Sequence, residues 1–215
     1  MGAIVRRRDR CVDGAGFAAG ALAGYVRGAM TQPARSVLSE FWSPLCALGS
    51  HGPAGPNAQI CLSVFGASIV PERPRLLAVL WKTNYTHDLV TETGTLAITV
   101  LAEGQEGLLA PLGLRSGREG PKLDGLEYRL TPEGDPVFAG GAGWLRGRVL
   151  ERFDLGDATA FIVAVAETGT GSGRPLRWQD AQAAVGAEFL ERWAEKSARD
   201  RAAAAEAMRW LPMEG

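Results

Sequence analysis

"GWLRGRVLERFDLGDATAFIVAVAE", Gly143 to Glu167, holds two long runs rich in Val, Ile, Leu and Phe on either side of the turn Asp154-Leu155-Gly156-Asp157. Apolar and β-branched residues at this density favour strands, and a Gly/Asp-rich break between them favours a reversal. A hairpin of this length commits its surroundings to antiparallel pairing. Working outward, "LEYRLT" (126–131) alternates apolar with polar residues and ends at the turn "PEGDP". "TLAITVL" (95–101) is a further strand. "PERPRLLAVLW" (71–81) opens with prolines that forbid helix and continues as a near-continuous apolar run, the pattern of a strand buried on both faces. Between these two strands "THDLVTETG" (86–94) reads as a short helix, with Thr86 or Asp88 as its cap and Gly94 ending it in the left-handed conformation. "EGQEGLLAPLG" (103–113) is a second short helix. Nearer the start, "PLCALGS", "HGPAGPN" and "AQICLSVFGAS" (44–68) form a hairpin with a long tip. The resulting six or seven strands are joined by hairpins and by connections holding only a short helix. The expected class is all-β with short helices, an antiparallel barrel rather than a doubly wound sheet.

Bulk properties narrow the function. The net charge of -1 removes the electrostatic footprint of a nucleic-acid binder. No apolar stretch is long enough to cross a bilayer, so no membrane partner is expected. Three widely spaced cysteines, Cys11, Cys46 and Cys61, with only His51 and His87 beside them, argue against a disulfide framework and against a metal site. Cys46 and Cys61 flank the first hairpin; two small buried side chains are the expected reading, ahead of a facing pair. This usage points to the reducing cytoplasm. Neither GxGxxG after a strand nor GxxxxGK[ST] occurs.

Donors concentrate in "WKTNYTHDLV" (81–90), where a buried strand gives way to a helix. A helix N-terminus offers free N–H groups and a positive dipole end, which favour an anion such as phosphate. Lys82 adds a full charge; Thr83, Asn84, Thr86 and His87 add further donors. A single terminal phosphate on a small cofactor suits this set better than a polynucleotide. The same residues also suit a plain helix cap, a solvated strand end and a surface histidine.

The segment "PNAQICLSVFGASIVPERPRLLAVLWKTNYTHDLVTETGTLAITVLAEGQ" (56–105) resembles the flavin reductase-like, FMN-binding split-barrel family, in the branch of flavoredoxins and rubredoxin-linked flavin reductases. That branch reads N-G-Q-I near its second strand, matched by Asn57, Ala58, Gln59 and Ile60, and K-x-N-Y-T-H-[DE] at the end of its third, matched by Lys82, Asn84, Tyr85, Thr86, His87 and Asp88. Ala58 stands where the family has glycine. The resemblance runs from about Phe41 to Trp178. It implies a six-stranded antiparallel Greek-key split barrel over 36–170, with FMN lying along two neighbouring strands at a homodimer interface. Lys82, Asn84 and Thr86 would hold the phosphate, with Tyr85 and His87 close by. Asn57 and the run Gln59, Ile60, Cys61, Leu62 and Ser63 would contact the ring and ribityl chain.

The family's G-D-H before its last strand is here Gly156, Asp157 and Ala158, without the imidazole usually placed near nicotinamide. "RPLRW" (174–178) is similar to the P-L-T-Y that ends these modules. FMN supplies the redox chemistry itself, so no general acid or base is singled out among the side chains. The expected function is an FMN-dependent oxidoreductase of flavin reductase type. It would pass hydride or electrons to flavin, another small acceptor or a redox protein, with NADH or NADPH as a transient donor. The alternatives are an FMN electron-transfer protein that does not oxidise nicotinamide, and a non-redox dimeric binding module.

Two flanks complete the organisation. Residues 1–29 read as an N-terminal extension without fixed structure, and "MTQPARSVLSEFW" from Met30 as an ordinary protein start. Residues 176–212 are Ala-, Glu- and Arg-rich, a helical extension with Val185, Phe189 and Trp193 on one stripe. That stripe suits sealing an end of the barrel before it suits a dimer interface or a lid over the flavin.

Overall fold

A computed structural model describes residues 43–210. The N-terminal extension and the start at Met30 lie outside the described residues. Nine strands follow in chain order: β1 (Cys46–Gly52), β2 (Gly55–Cys61), β3 (Val64–Gly66), β4 (Arg75–Trp81), β5 (Thr95–Val100), β6 (Tyr128–Leu130), β7 (Pro136–Phe138), β8 (Gly143–Asp154) and β9 (Ala158–Thr170). Among the described residues four α-helices are interspersed: α1 (Tyr85–Thr93), α2 (Leu109–Gly113), α3 (Trp178–Ala184) and α4 (Ala187–Ala207).

Seven strands form one sheet in the order β2-β1-β5-β8-β9-β4-β3, and every pairing is antiparallel. Its edge strands β2 and β3 are separated in sequence by Leu62 and Ser63 alone. Two residues span only ~7 Å, so the sheet must curl until its edges meet. At the seam the Val79 N–H donates to the Ser63 carbonyl at 2.9 Å. This is the expected barrel, split along one line. The long hairpin read at Gly143–Glu167 is β8–β9, and bulges at Arg146/Gly147 and Val149/Glu151 bend it around the curl.

Core residues fill both sides of the curled wall. Leu48, Cys61, Ala78, Leu80, Val90, Leu96, Ile98, Phe161 and Val163 close the inside. Leu45, Ala47, Ala58, Leu101, Leu109, Leu112 and Trp178 pack on the opposite face of β1 and β2, with Val185, Phe189 and Trp193 against them. The helical stripe of the C-terminal extension thus seals core, although the helix is broken in two. Val185 is extended and Gly186 is the N-cap of α4. Cys46 and Cys61 are direct cross-strand neighbours, both buried and both free thiols.

Three local expectations change. The first hairpin has no long tip: β1 and β2 pair as far as Gly52 and Gly55, leaving Pro53-Ala54 as the turn, and Gly55 takes the positive φ of 105° that this turn needs. The first helix starts at Tyr85 with Asn84 at the N-cap position, two residues before the expected Thr86 cap and four before Asp88. Gly94 does end it, at φ 68°. Finally, β4 is not buried on both faces. Ala78 and Leu80 are buried, whereas Leu77 and Val79 are half-buried and Trp81 is 46% exposed.

Candidate functional site

The turn from β4 into α1 sets the geometry. Asn84 N–H donates to the Trp81 carbonyl at 3.0 Å, and Lys82 N–H to Asp157 at 2.9 Å, so the turn is tied to the start of β9. Asn84 occupies the N-cap position without making a side-chain cap bond. The first N–H groups of this nine-residue helix are therefore left without a side-chain acceptor.

Strand alternation divides the other predicted residues. Asn57, Gln59 and Cys61 lie opposite Ser50, Leu48 and Cys46 on the inner face. Asn57 Nδ2 donates to Thr86 Oγ1 at 2.6 Å, so β2 and the first turn of α1 are joined through two buried side chains. Ile60 and Leu62 point to the other side and pack on the outer core. Only their main chain faces the same space as Asn57 and Gln59. Ser63 lies at the seam, and Cys61 Sγ is 4.0 Å from the Val79 carbonyl.

His87 turns inward. Its Nε2 sits 2.9 Å from Thr159 Oγ1, its Nδ1 3.1 Å from Asp88 Oδ1, and its ring meets the edge of Phe161. It is 8% exposed and braces α1 against β9 instead of lying among the exposed donors. Lys82 Nζ donates to Asp154 Oδ1 at 2.7 Å, and this bond, the largest cause, holds the Asp154 carboxyl below the usual carboxylate range.

One participant escapes the sequence reading: Arg118. Its Nη1 donates to the Thr83 carbonyl at 2.8 Å and its Nη2 to Asp88 Oδ2 at 2.6 Å, while its guanidinium lies 5.5 Å from the centroid of the Tyr85 ring. The loop reaches this position because Gly117 has no side chain. A Cβ there would collide with Asn57 Oδ1 and come within 2.7 Å of Tyr85 Cδ1. The only local sign is "RSGRE", an ordinary turn in which Ser116 Oγ accepts from the Arg118 N–H. Its partners lie 30 and 35 residues away, beyond any periodicity.

Lys82 and Arg118 therefore bracket an uncapped helix start, with Thr83, Asn84, Tyr85 and Thr86 between them. The Thr83 hydroxyl, the Asn57 carbonyl oxygen and the Gln59 carbonyl oxygen are buried and have no protein partner. Two cations and a helix N-terminus without a side-chain cap suit a phosphate. Unpartnered amide oxygens suit the hydroxyls and ring N–H of a polar mononucleotide.

The model for the family described as flavin reductase like domain matches residues 38–186, more than half the chain, and the chain belongs to that family. It is 28% identical over 145 residues to FMN reductase (NADH) SmoA of Agrobacterium fabrum, covering 66% of this chain and 78% of that one. It is 30% identical over 113 residues, 52% of its length, to the high molecular weight rubredoxin of Moorella thermoacetica, and spans about half (48%) of that protein. Among solved structures, NADH:FAD oxidoreductase SgcE6 of Streptomyces globisporus superposes with a TM-score of 0.57 at 24% identity, over 62% of this chain and 79% of that one, a likeness of fold.

Proposed function

We propose that this flavin reductase-like chain is an oxidoreductase that binds FMN and passes reducing equivalents from NADH or NADPH to free flavin or another small acceptor. The observation that carries the reading is the cluster at the start of α1, where Lys82, Arg118 and a helix N-terminus without a side-chain cap lie beside buried amide oxygens that lack partners. The names of the relatives, an NADH-dependent FMN reductase among them, support the same reading.

FMN would supply the redox chemistry as an acceptor and donor of hydride or single electrons. The chain's own residues bind and orient it. Lys82 and Arg118 neutralise the phosphate. Thr83 and Asn84 donate to it, and the Asn57–Thr86 bond fixes the angle between β2 and α1. Gln59 and the main chain of Ile60 to Ser63 would meet the ring's polar edge, since an extended strand presents N–H and C=O groups in its plane. Ala158 lies at the start of β9 opposite Trp81 and is 3% exposed, so nicotinamide would be placed without an imidazole there.

A homodimer belongs to the same proposal. Cross-strand partners share a face, which puts Phe65, Leu77, Val79, Trp81, Phe153, Ala158, Ala160 and Ile162 on one outer wall of β3, β4, β9 and β8. Phe65, Trp81 and Phe153 are 45–54% exposed there. A second copy would cover this wall and the strand edge beside the candidate site. No helix among the described residues is long and apolar enough to cross a membrane. The cytoplasm, with its reducing poise, suits Cys46 and Cys61, which remain thiols although directly opposed.

Purification without added cofactor, followed by an absorption spectrum and titration with NADH and NADPH, tests the assignment. A flavin spectrum bleached by either nucleotide is expected. A flavin spectrum that neither bleaches would leave an electron relay between proteins. Colourless protein that takes up no FMN would end the flavin reading. Lys82→Ala should weaken FMN binding by roughly tenfold to a hundredfold, the usual worth of a charge-assisted hydrogen bond.

A further inference from the structure

Helix α4 lies beyond the residues matched by the family model, which end at 186. Its 21 residues extend for about 30 Å, and its two ends rest on different parts of the candidate site. Near its start, Trp193 packs so closely over Gly113 that a Cβ there would lie 2.5 Å from its ring. Gly113 leads into the loop that carries Arg118. At its far end, the Ala207 carbonyl abuts Gly156, and the Arg209 N–H donates to the Leu155 carbonyl at 3.3 Å. That contact is on the β8–β9 turn, whose Asp154 holds Lys82. Asp154 lies between two cations: Oδ1 accepts from Lys82 at 2.7 Å, and Oδ2 is 3.5 Å from Arg209 Nη2.

If Lys82 grips a terminal phosphate, the group on the far side of its partner Asp154 is Arg209, just past the end of α4. A flavin mononucleotide ends at this phosphate. A flavin dinucleotide continues through a second phosphate to ribose and adenine, and those groups need a path away from Lys82. We propose that the C-terminal half of α4, latched to the β8–β9 turn through Ala207 and Arg209, closes this path and makes the site selective for flavin mononucleotide over flavin dinucleotide. The inference rests on the mononucleotide reading of the Lys82 cluster. It concerns a segment that seals no core: from Ala198 to Trp210 no residue is buried. By contrast, Phe189 and Trp193 pack on the core.

Two variants open the latch by different means. In the full chain, Arg209→Pro removes both the N–H that bonds Leu155 and the guanidinium beside Asp154. Met208 has φ -61° and ψ 130°, a conformation that proline at the next position accepts. A chain ending at Ser197 removes the distal helix and keeps Phe189 and Trp193. FMN and FAD affinities are measured by quenching of flavin fluorescence on the full chain and on both variants, with thermal unfolding as a control for folding. The full chain should bind FMN at least tenfold tighter than FAD. Both variants should gain FAD affinity by fivefold or more while FMN affinity moves less than threefold. Equal affinity of the full chain for both flavins, or a ratio unchanged in both folded variants, overturns the selectivity role and leaves the FMN site standing. Failure of the full chain to bind either flavin overturns both.

Discussion

Lys122 lies 5% exposed beneath the loop that carries Arg118, with its ammonium bonded to the Leu112 and Arg115 carbonyls at 3.2 and 3.1 Å. Desolvation first, then the nearby charges of Lys196 and Arg115, push its pKa down from 10.5 to about 8, against the weaker opposing pull of Glu119. A depressed lysine binds its proton more tightly in the unfolded chain than in the folded one. Between about pH 8 and 10.5, therefore, the unfolded state holds more protons, and this group makes stability rise with pH. A shift of this size corresponds to on the order of 3 kcal/mol at most. The neutral amine keeps two N–H donors for the two carbonyls, so deprotonation costs no hydrogen bond. Lys122→Met should abolish the alkaline rise, read as urea midpoints below and above pH 8. At the same scale, Gly117→Ala should drive the loop away from Asn57 and Tyr85 and carry Arg118 off Thr83 and Asp88. A loss of roughly tenfold in FMN affinity with an unchanged melting curve is the expected signature. Of these residues, Lys82 and Asn84 were legible in the sequence because they crowd one strand end. Arg118 was not, because its role is created by a tertiary contact across 30 residues. His87 was legible as a special residue, but its direction was not. The sequence sets the side chain near the helix start, and only the packing of Phe161 and Thr159 decides that it points inward.

Among the elements, strands were easier to read than helix breaks. Alternation and β-branched runs mark β4, β5, β8 and β9 because each buries at least one face, and the long hairpin alone implies antiparallel pairing. The C-terminal extension reads as one helical pattern, yet it divides at Val185–Gly186. A single glycine in an Ala-rich run costs a helix only ~1 kcal/mol, too little for the sequence to announce a break. The break is made by packing. Val185 leaves the helix to join the core, while Phe189 and Trp193 stack at 5.7 Å and Trp178 meets Trp193 at 5.0 Å. Trp193→Ala should lower stability by about 2–3 kcal/mol, at or below the range for fully buried aromatics because the residue is half-buried. It should also unseat the start of α4, detectable as faster amide exchange in the first turns of that helix.

For the whole molecule, the curl joins two features that look independent in the sequence. The short Leu62–Ser63 link brings β2 and β3 together, which sets Asn57 and Gln59 beside α1. The same curl turns the outer side of β4 and β9 into the apolar wall bearing Trp81 and Phe153. The near-continuous apolar pattern of β4 is that of a strand buried on both faces; in a single copy one of those faces is half open. The proposed dimer through that wall would account for the pattern. Phe153→Asp, at a position 54% exposed, should leave the monomer folded and shift the species seen by light scattering from two copies to one.

The opposed cysteines of the first hairpin have a practical consequence. Burial raises the Cys61 thiol to about 11 and pushes Cys46 higher still, its neighbour Cys61 adding to the effect, so neither offers a reactive thiolate while β1 and β2 remain zipped. Alkylating reagents can reach them only through an opening of that hairpin. The speed at which these two sulfurs are modified is then a stopwatch for how often the wall beside the candidate site comes apart.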